Sequence, residues 1–187
     1  MEERTGRLYP AEKAGILKSR LRRLLQNPEK ILGGYIREGM VVLDVGCGPG
    51  YFTMQAARMI GKSGKVIAAD LQQGMLDKLG DSIRENEIKD RICLHKCAEE
   101  SIGVTESVDV VLAFYVVHEV KNQKAFFEEM KSILKRSGIL FLVEPSFVVS
   151  KNAFTRTLTL AREIGFAQAG RPRILLSRSI VLKNEMS

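Results

Sequence analysis

The chain has 187 residues, 45% of them hydrophobic and 27% charged, with a formal net charge of +7. That is enough for one well-buried core and too little for two independent domains. No run approaches the roughly 18 consecutive apolar residues of a membrane span, and MEERTGRLYP carries no apolar core of a secretory signal, so a soluble, cytoplasmic protein is expected.

Three cysteines, Cys47, Cys93 and Cys97, form an odd set without zinc-type pairing, and only His95 and His118 could join them, so no metal is expected. On a strand Cys93, His95 and Cys97 would share a face, but at about 3.3 Å per residue the outer two lie too far apart for one zinc. Much of the positive excess precedes the core, from Arg4 to Arg37, and a second cluster (Arg171, Arg173, Arg178, Lys183) lies near the end. No aromatic residues interleave with the first basic segment and there is no tryptophan, so the charge reads as a solvated basic face rather than a nucleic-acid platform.

In chain order, residues 1 to 10 read as disordered or loosely docked. Ala11 to Gln26 places Ile16, Leu17, Leu21, Leu24 and Leu25 on one helical face, with basic residues on the other. Asn27-Pro28 ends that helix and Pro28 opens a shorter one to Leu32, stopped by Gly33-Gly34. Residues 1–34 are therefore an N-terminal helical extension expected to pack on a domain of residues 35–187.

From Val41 onward strands and helices alternate. Strands are expected at Val41–Val45, Lys65–Asp70, Ile92–Lys96, Val108–Phe114 and Ile139–Glu144, the last entered through a turn at Arg136-Ser137-Gly138. Helices are expected at about Tyr51–Ile60, Gln73–Asn86 and Gln123–Leu134. Ser150 caps a further helix stopped by Gly165, and weaker strands near Phe166–Gly170 and Ser179–Leu182 suit a closing hairpin. The alternation implies an α/β, doubly wound, mostly parallel sheet, and the nearly continuous apolar runs VVLDV, KVIAAD, VDVVLAF and ILFLV suit strands buried on both faces. Ligands of such sheets bind at the carboxyl ends of the strands, beside the point where strand order reverses.

The first strand ends in GCGPG. A dinucleotide fingerprint needs a small residue where Tyr51 stands, and a phosphate-binding loop needs a Gly-Lys that is missing here. The pattern G-x-G-x-G with Asp44 two residues ahead suits instead a ligand with a cationic amino-acid portion. Twenty residues beyond Gly50, Asp70 ends the second strand, where a carboxylate can accept both hydroxyls of a ribose.

These motifs resemble those of the class I S-adenosylmethionine-dependent methyltransferases, small-molecule type, which include ubiquinone/menaquinone biosynthesis methyltransferases. Val42 to Gly50 matches the first motif, Val66 to Leu71 the second, Val108 to Val120 the fourth, and Leu134 to Pro145 the Leu-Lys-x-x-Gly strand that follows. The resemblance implies the seven-stranded Rossmann-like methyltransferase fold with S-adenosyl-L-methionine as cofactor. Asp44, Gly46 and Gly48 would then surround its methionine part, Asp70 its ribose and Leu71 its adenine, with Cys47 and Gly50 as further cofactor-binding positions of the loop. Where relatives read Asp-Ala-Glu this chain has Cys97-Ala98-Glu99; Cys97 would be a cofactor-binding position, but a thiol is a poor acceptor, which leaves the adenine edge to the Ala98 backbone or Glu99. Ala113 and Phe114 would border the transferred methyl.

Methyl transfer from a sulfonium is an in-line displacement that needs alignment more than a strong catalytic group. A base helps for a phenol, thiol or enolisable carbon; His118 is the best placed candidate and Tyr115 the next. Glu119 and Glu144 read as carboxylates facing solvent or a salt bridge. The Asn/Asp-Pro-Pro-Tyr/Phe signature of amino methylation is absent after the fourth strand, where the chain reads AFYVVHE, and no Pro-Cys pair supplies a cytosine-attacking thiol. The expectation is a monomeric or homodimeric methyltransferase acting on a small-molecule acceptor. Alternatives are an RNA methyltransferase using the basic terminal segments, or a cofactor-binding module without catalysis.

Overall fold

The computed structural model describes residues 27–184. The helix expected over Ala11–Gln26 and the segment before it lie outside the described residues. In chain order the elements are α1 (Pro28–Leu32), β1 (Val41–Val45), α2 (Tyr51–Met59), β2 (Lys65–Asp70), α3 (Gln73–Ile83), β3 (Ile92–Lys96), β4 (Val108–Phe114), α4 (Gln123–Ile133), β5 (Leu134–Pro145), α5 (Lys151–Ile164), β6 (Phe166–Gly170) and β7 (Ser177–Asn184). Short 3-10 turns at Lys89–Arg91 and Val117–Glu119 were not expected from the sequence.

The strands form one seven-stranded sheet in the order β3-β2-β1-β4-β5-β7-β6. The first five are parallel to one another, and β7 runs antiparallel between β5 and β6, so the closing hairpin forms as expected. Strand order reverses between β1 and β4, which opens the crevice at their carboxyl ends.

Alternation along the strands sorts the core into two faces. Leu43, Val45, Val111, Ala113, Leu140 and Leu142 pack with Phe126, Phe127 and Met130 of α4 and Phe154, Leu158 and Ala161 of α5. Val42, Val110, Leu112, Phe114, Phe141 and Val143 face the other way, toward Phe52, Ala56 and Ala57 of α2 and Leu32 of α1. On that second face an edge-to-face series links Phe52, Phe114, Phe141 and Tyr35, with ring centroids 4.5 to 4.9 Å apart. Each such pair adds about 0.5–1.5 kcal/mol beyond area burial.

The helix ends follow from local chemistry. Asn27 accepts from the Lys30 N–H with Pro28 at the first helical position, and Ser150 Oγ accepts from the Ala153 N–H at 3.1 Å. Gly165 closes α5 in the left-handed region.

Three expected boundaries differ. The α3 helix ends at Ile83, not Asn86, and β7 is longer than Ser179–Leu182 at both ends. The turn expected at Arg136-Ser137-Gly138 lies inside β5: Val108 pairs with Leu134 and Val110 with Ile139, so residues 135–138 bulge out between them. The bulge is tight enough that a Cβ at Gly138 would sit 2.8 Å from Leu134 Cδ2 and 2.9 Å from the Lys135 carbonyl oxygen.

Candidate functional site

The loop Gly46–Gly50 leaves β1 at the crevice and is stitched to the neighbouring strand: the N–H groups of Gly46 and Cys47 both donate to the Ala69 carbonyl, at 2.8 and 3.1 Å. Its three glycines have φ of +67°, +55° and +87°. A Cβ at Gly46 would meet Val116 Cγ2 at 2.8 Å, and one at Gly50 would run into the Leu79 side chain of α3. At Gly48 a Cβ would meet no heavy atom within 4 Å. Neighbouring groups thus demand glycine at 46 and 50, whereas Gly48 keeps the backbone bare toward the crevice. Gly50 also caps α2, whose positive N-terminal end faces the loop.

Two carboxylates back this loop. Asp44 is 3% exposed on the α2 face of β1, and its Oδ2 accepts from the Thr53 hydroxyl at 2.6 Å. Asp70, at the end of β2, accepts from the Gly48 N–H on Oδ2 at 2.9 Å and from the Gln72 N–H on Oδ1 at 2.8 Å. An ionised carboxylate offers about four acceptor positions, so Asp70 is held rigidly with capacity left for two hydroxyls. The loop thus presents bare backbone at Gly48 beside a fixed acceptor at Asp70, with the buried Asp44 behind it.

The segments after β2 and β3 bring less polar groups to the crevice. Leu71 is half-buried, and its carbonyl accepts from Lys96 Nζ. Cys97 is 7% exposed; its N–H donates to the Asp70 carbonyl, while the Ala98 N–H is taken by the Ser101 carbonyl. Glu99 is exposed and pairs with Lys121 at 2.9 Å, which turns its carboxylate toward solvent. Burial, with the charges of Asp70 and Glu129, pushes the Cys97 thiol up to about 12. Burial, with Asp44 and Asp70, pushes the 6% exposed Cys47 thiol far up as well, so both sulfurs line the site as neutral small groups.

At the end of β4 the two expected residues part. Ala113 packs toward α4 and α5 at 0% exposure, and the Phe114 ring is committed to the aromatic series on the α2 face, leaving mainly its backbone to the crevice. Tyr115 is held at φ +62°, uncommon for a residue with a side chain. Its N–H donates to the Val143 carbonyl at 2.7 Å and its hydroxyl meets Ser177 Oγ at 2.8 Å.

His118 lies in the 3-10 turn that follows. Its Nδ1 is 2.5 Å from Glu144 Oε2, and its backbone N–H donates to Glu144 Oε1 at 3.1 Å. Glu144 is 2% exposed on the α4 face of β5. It is thus buried beneath His118 rather than turned to solvent, and the sequence signal for this was a charge at an inward position of the run ILFLVEP. Nε2 of His118 lies 3.9 Å from Glu119 Oε1, beyond hydrogen-bond reach. Burial opposes charging the imidazole, but its hydrogen bond with Glu144 and the charges of Glu144 and Glu119 outweigh that and raise its pKa. The Glu119 carboxyl is raised by burial and by the negative charges of Glu144 and Asp70, with His118 opposing.

The residues expected from sequence lie at or just beyond the carboxyl ends of β1, β2, β3 and β4, with Ala113 and Phe114 on opposite faces of the sheet. Among the described residues no three His, Cys, Asp or Glu side chains gather to hold a metal ion, and no helix is long and apolar enough to cross a membrane.

A family model described as a methyltransferase domain matches residues 36–166. The ubiquinone/menaquinone biosynthesis C-methyltransferase UbiE of Idiomarina loihiensis is 28% identical over 116 residues, 62% of this chain and 46% of that protein. A demethylmenaquinone methyltransferase of Lactobacillus johnsonii is 30% identical over 112 residues, 59% of this chain and 46% of that protein. The matched stretch spans less than half the length of these curated relatives. Among solved structures, a SAM-dependent methyltransferase from Aquifex aeolicus superposes with a TM-score of 0.83 at 24% identity, covering 94% of this chain and 98% of that one; at that identity the likeness speaks for the fold.

Proposed function

We propose, from the premise that this chain belongs to the methyltransferase domain family, that it transfers a methyl group from S-adenosylmethionine to a small-molecule acceptor. The observation that carries the reading is Asp70, pinned by the Gly48 and Gln72 N–H groups beside the β1/β4 switch point with acceptor capacity to spare. Gly46, Cys47, Gly48 and Gly50 would cradle the methionine part, with Asp44 buried behind them. Asp70 would take the ribose hydroxyls, and Leu71, Cys97 and Ala98 would border the adenine. Ala113 and the Phe114 backbone would flank the transferred group.

S-adenosylmethionine supplies a methyl group on an already activated sulfonium, so the protein's share is alignment, exclusion of water and acceptance of a proton. His118 is the proposed base, because Nε2 is its one ring nitrogen without a hydrogen bond among the described residues. Tyr115, with its hydroxyl on Ser177, shapes the wall beside it. A largely apolar small-molecule acceptor is supported by the apolar side chains at this end of the sheet. Phe147, Val148, Leu175 and Leu176 are 57 to 80% exposed on two loops joined by the Ser146 N–H and the Leu176 carbonyl.

Residues 1–34 are the proposed extension to this domain, supported by the family match beginning at 36 and by Leu32 buried on the α2 face. Free Cys47, Cys93 and Cys97 fit work in a reducing cytoplasm.

Titration calorimetry with S-adenosylhomocysteine tests the reading. The parent should bind, and Asp70→Ala should bind about ten- to a hundredfold more weakly, the loss of charge-assisted hydrogen bonds. No binding by the parent, or equal binding by the variant, overturns it.

A further inference from the structure

Glu144 is a buried carboxylate with both oxygens spent on one residue. Oε1 accepts from the His118 backbone N–H and Oε2 sits 2.5 Å from Nδ1. A carboxylate can only accept, so Nδ1 must carry the hydrogen and the lone pair of a neutral imidazole must lie on Nε2. The backbone contact fixes the turn while the side-chain contact fixes the ring. His118 lies in the turn that follows β4 and Glu144 near the end of the adjacent parallel β5, so the turn folds back over the end of its neighbouring strand.

We infer that Glu144 is a positioning residue for methyl transfer: it locks His118 as the Nδ1–H tautomer, aims Nε2 at the acceptor and stabilises the imidazolium formed when the acceptor gives up its proton. The inference rests on the proposed methyltransferase reading and narrows its acceptor to one that must lose a proton, such as a phenol or an enolisable carbon. In the step, His118 Nε2 takes the proton of the acceptor X–H, the X–CH3 bond forms from the electron pair left on X, and the sulfur–methyl bond breaks with its pair going to sulfur. The imidazolium returns its proton to solvent.

The charged groups around the ring come from every packed element. Glu144 lies below from β5, Glu119 beside it in the same turn, and Asp70 of β2 acts on Glu119. Arg178 of β7 pairs with Glu144 in the strand register and directs its Nε to the Val149 carbonyl at 2.9 Å.

Glu144→Gln keeps size and a carbonyl acceptor while removing the charge. The chain has two histidines, so ring-nitrogen NMR can follow His118 with His95 as internal control. In the folded variant His118 should titrate at lower pH than in the parent, with His95 unmoved, and kcat with a phenolic acceptor should fall about tenfold to a hundredfold, with KM within about twofold. The acid limb of kcat/KM should move to lower pH in step with the NMR titration. A second variant, Glu144→Ala, should lose the Nδ1–H tautomer. An unchanged His118 titration and tautomer in folded, cofactor-binding variants overturns the inference while the methyltransferase reading stands. Absence of S-adenosylhomocysteine binding by the parent overturns that reading, whatever His118 does.

Discussion

Gly48 and Gly50 stand two residues apart in one loop and are glycine for different reasons, which substitution should separate. Gly50→Ala forces a Cβ into Leu79 and should cost about 2–4 kcal/mol, read as a lower urea midpoint. Gly48→Ala meets no neighbour and should cost only about 1 kcal/mol of backbone strain, yet weaken S-adenosylhomocysteine about tenfold by occupying the surface the ligand needs. Equal stability losses with unchanged affinity would show that the loop serves packing alone. At this scale three polar positions were legible before the structure: Asp44 interrupts the apolar run of β1, Asp70 ends β2 and His118 follows β4. The partner of each was not. Thr53 beneath Asp44, Gly48 on Asp70 and Glu144 beneath His118 are contacts made across 9, 22 and 26 residues, and no local pattern encodes them.

Elements were legible to the degree that a local signal marks their ends. Ser150 caps α5 and Gly165 closes it, where the sequence placed both; Ser150→Ala should cost about 1 kcal/mol and speed hydrogen exchange in the first turn of α5. Phe127 is fully buried between α4 and the sheet, near Phe126 and Phe166, and Phe127→Ala should cost about 3–5 kcal/mol, the largest loss among these variants, visible as a fall in thermal midpoint. The misplaced turn before the fifth strand has a pairing cause. Arg136-Ser137-Gly138 carries turn chemistry, but β4 already pairs with Leu134, so the sheet claims the chain early and the turn survives as a bulge within β5. Likewise the 3-10 turn that carries His118 has no cap or period of its own; it is held by Glu144 and by bonds from Glu119 and Val120 N–H to Val116 and Val117 carbonyls.

For the whole molecule, two measurements probe charge. The raised pKa of His118 means that its contribution to stability is complete below the unfolded imidazole value of about 6.5 and is lost as pH rises through the folded value. The urea midpoint should therefore decline above about pH 6.5, and His118→Gln should remove that part of the decline. The net +7 collects mainly between Arg4 and Arg37 and around Arg171 to Lys183, where no aromatic residues interleave with the first basic segment, so it should not make an RNA binder of the chain. Retention on RNA should be weak and show a shallow salt dependence; a steep one would favour a nucleic-acid substrate. By itself the sequence determined the alternation of strands and helices, the parallel sheet and the glycine loop with its carboxylates, because hydrophobic period, turn residues and strand ends are local properties. Only the tertiary structure decided that Glu144 is buried, that it faces His118 and which imidazole nitrogen it engages, because those depend on how the turn after β4 meets the end of β5.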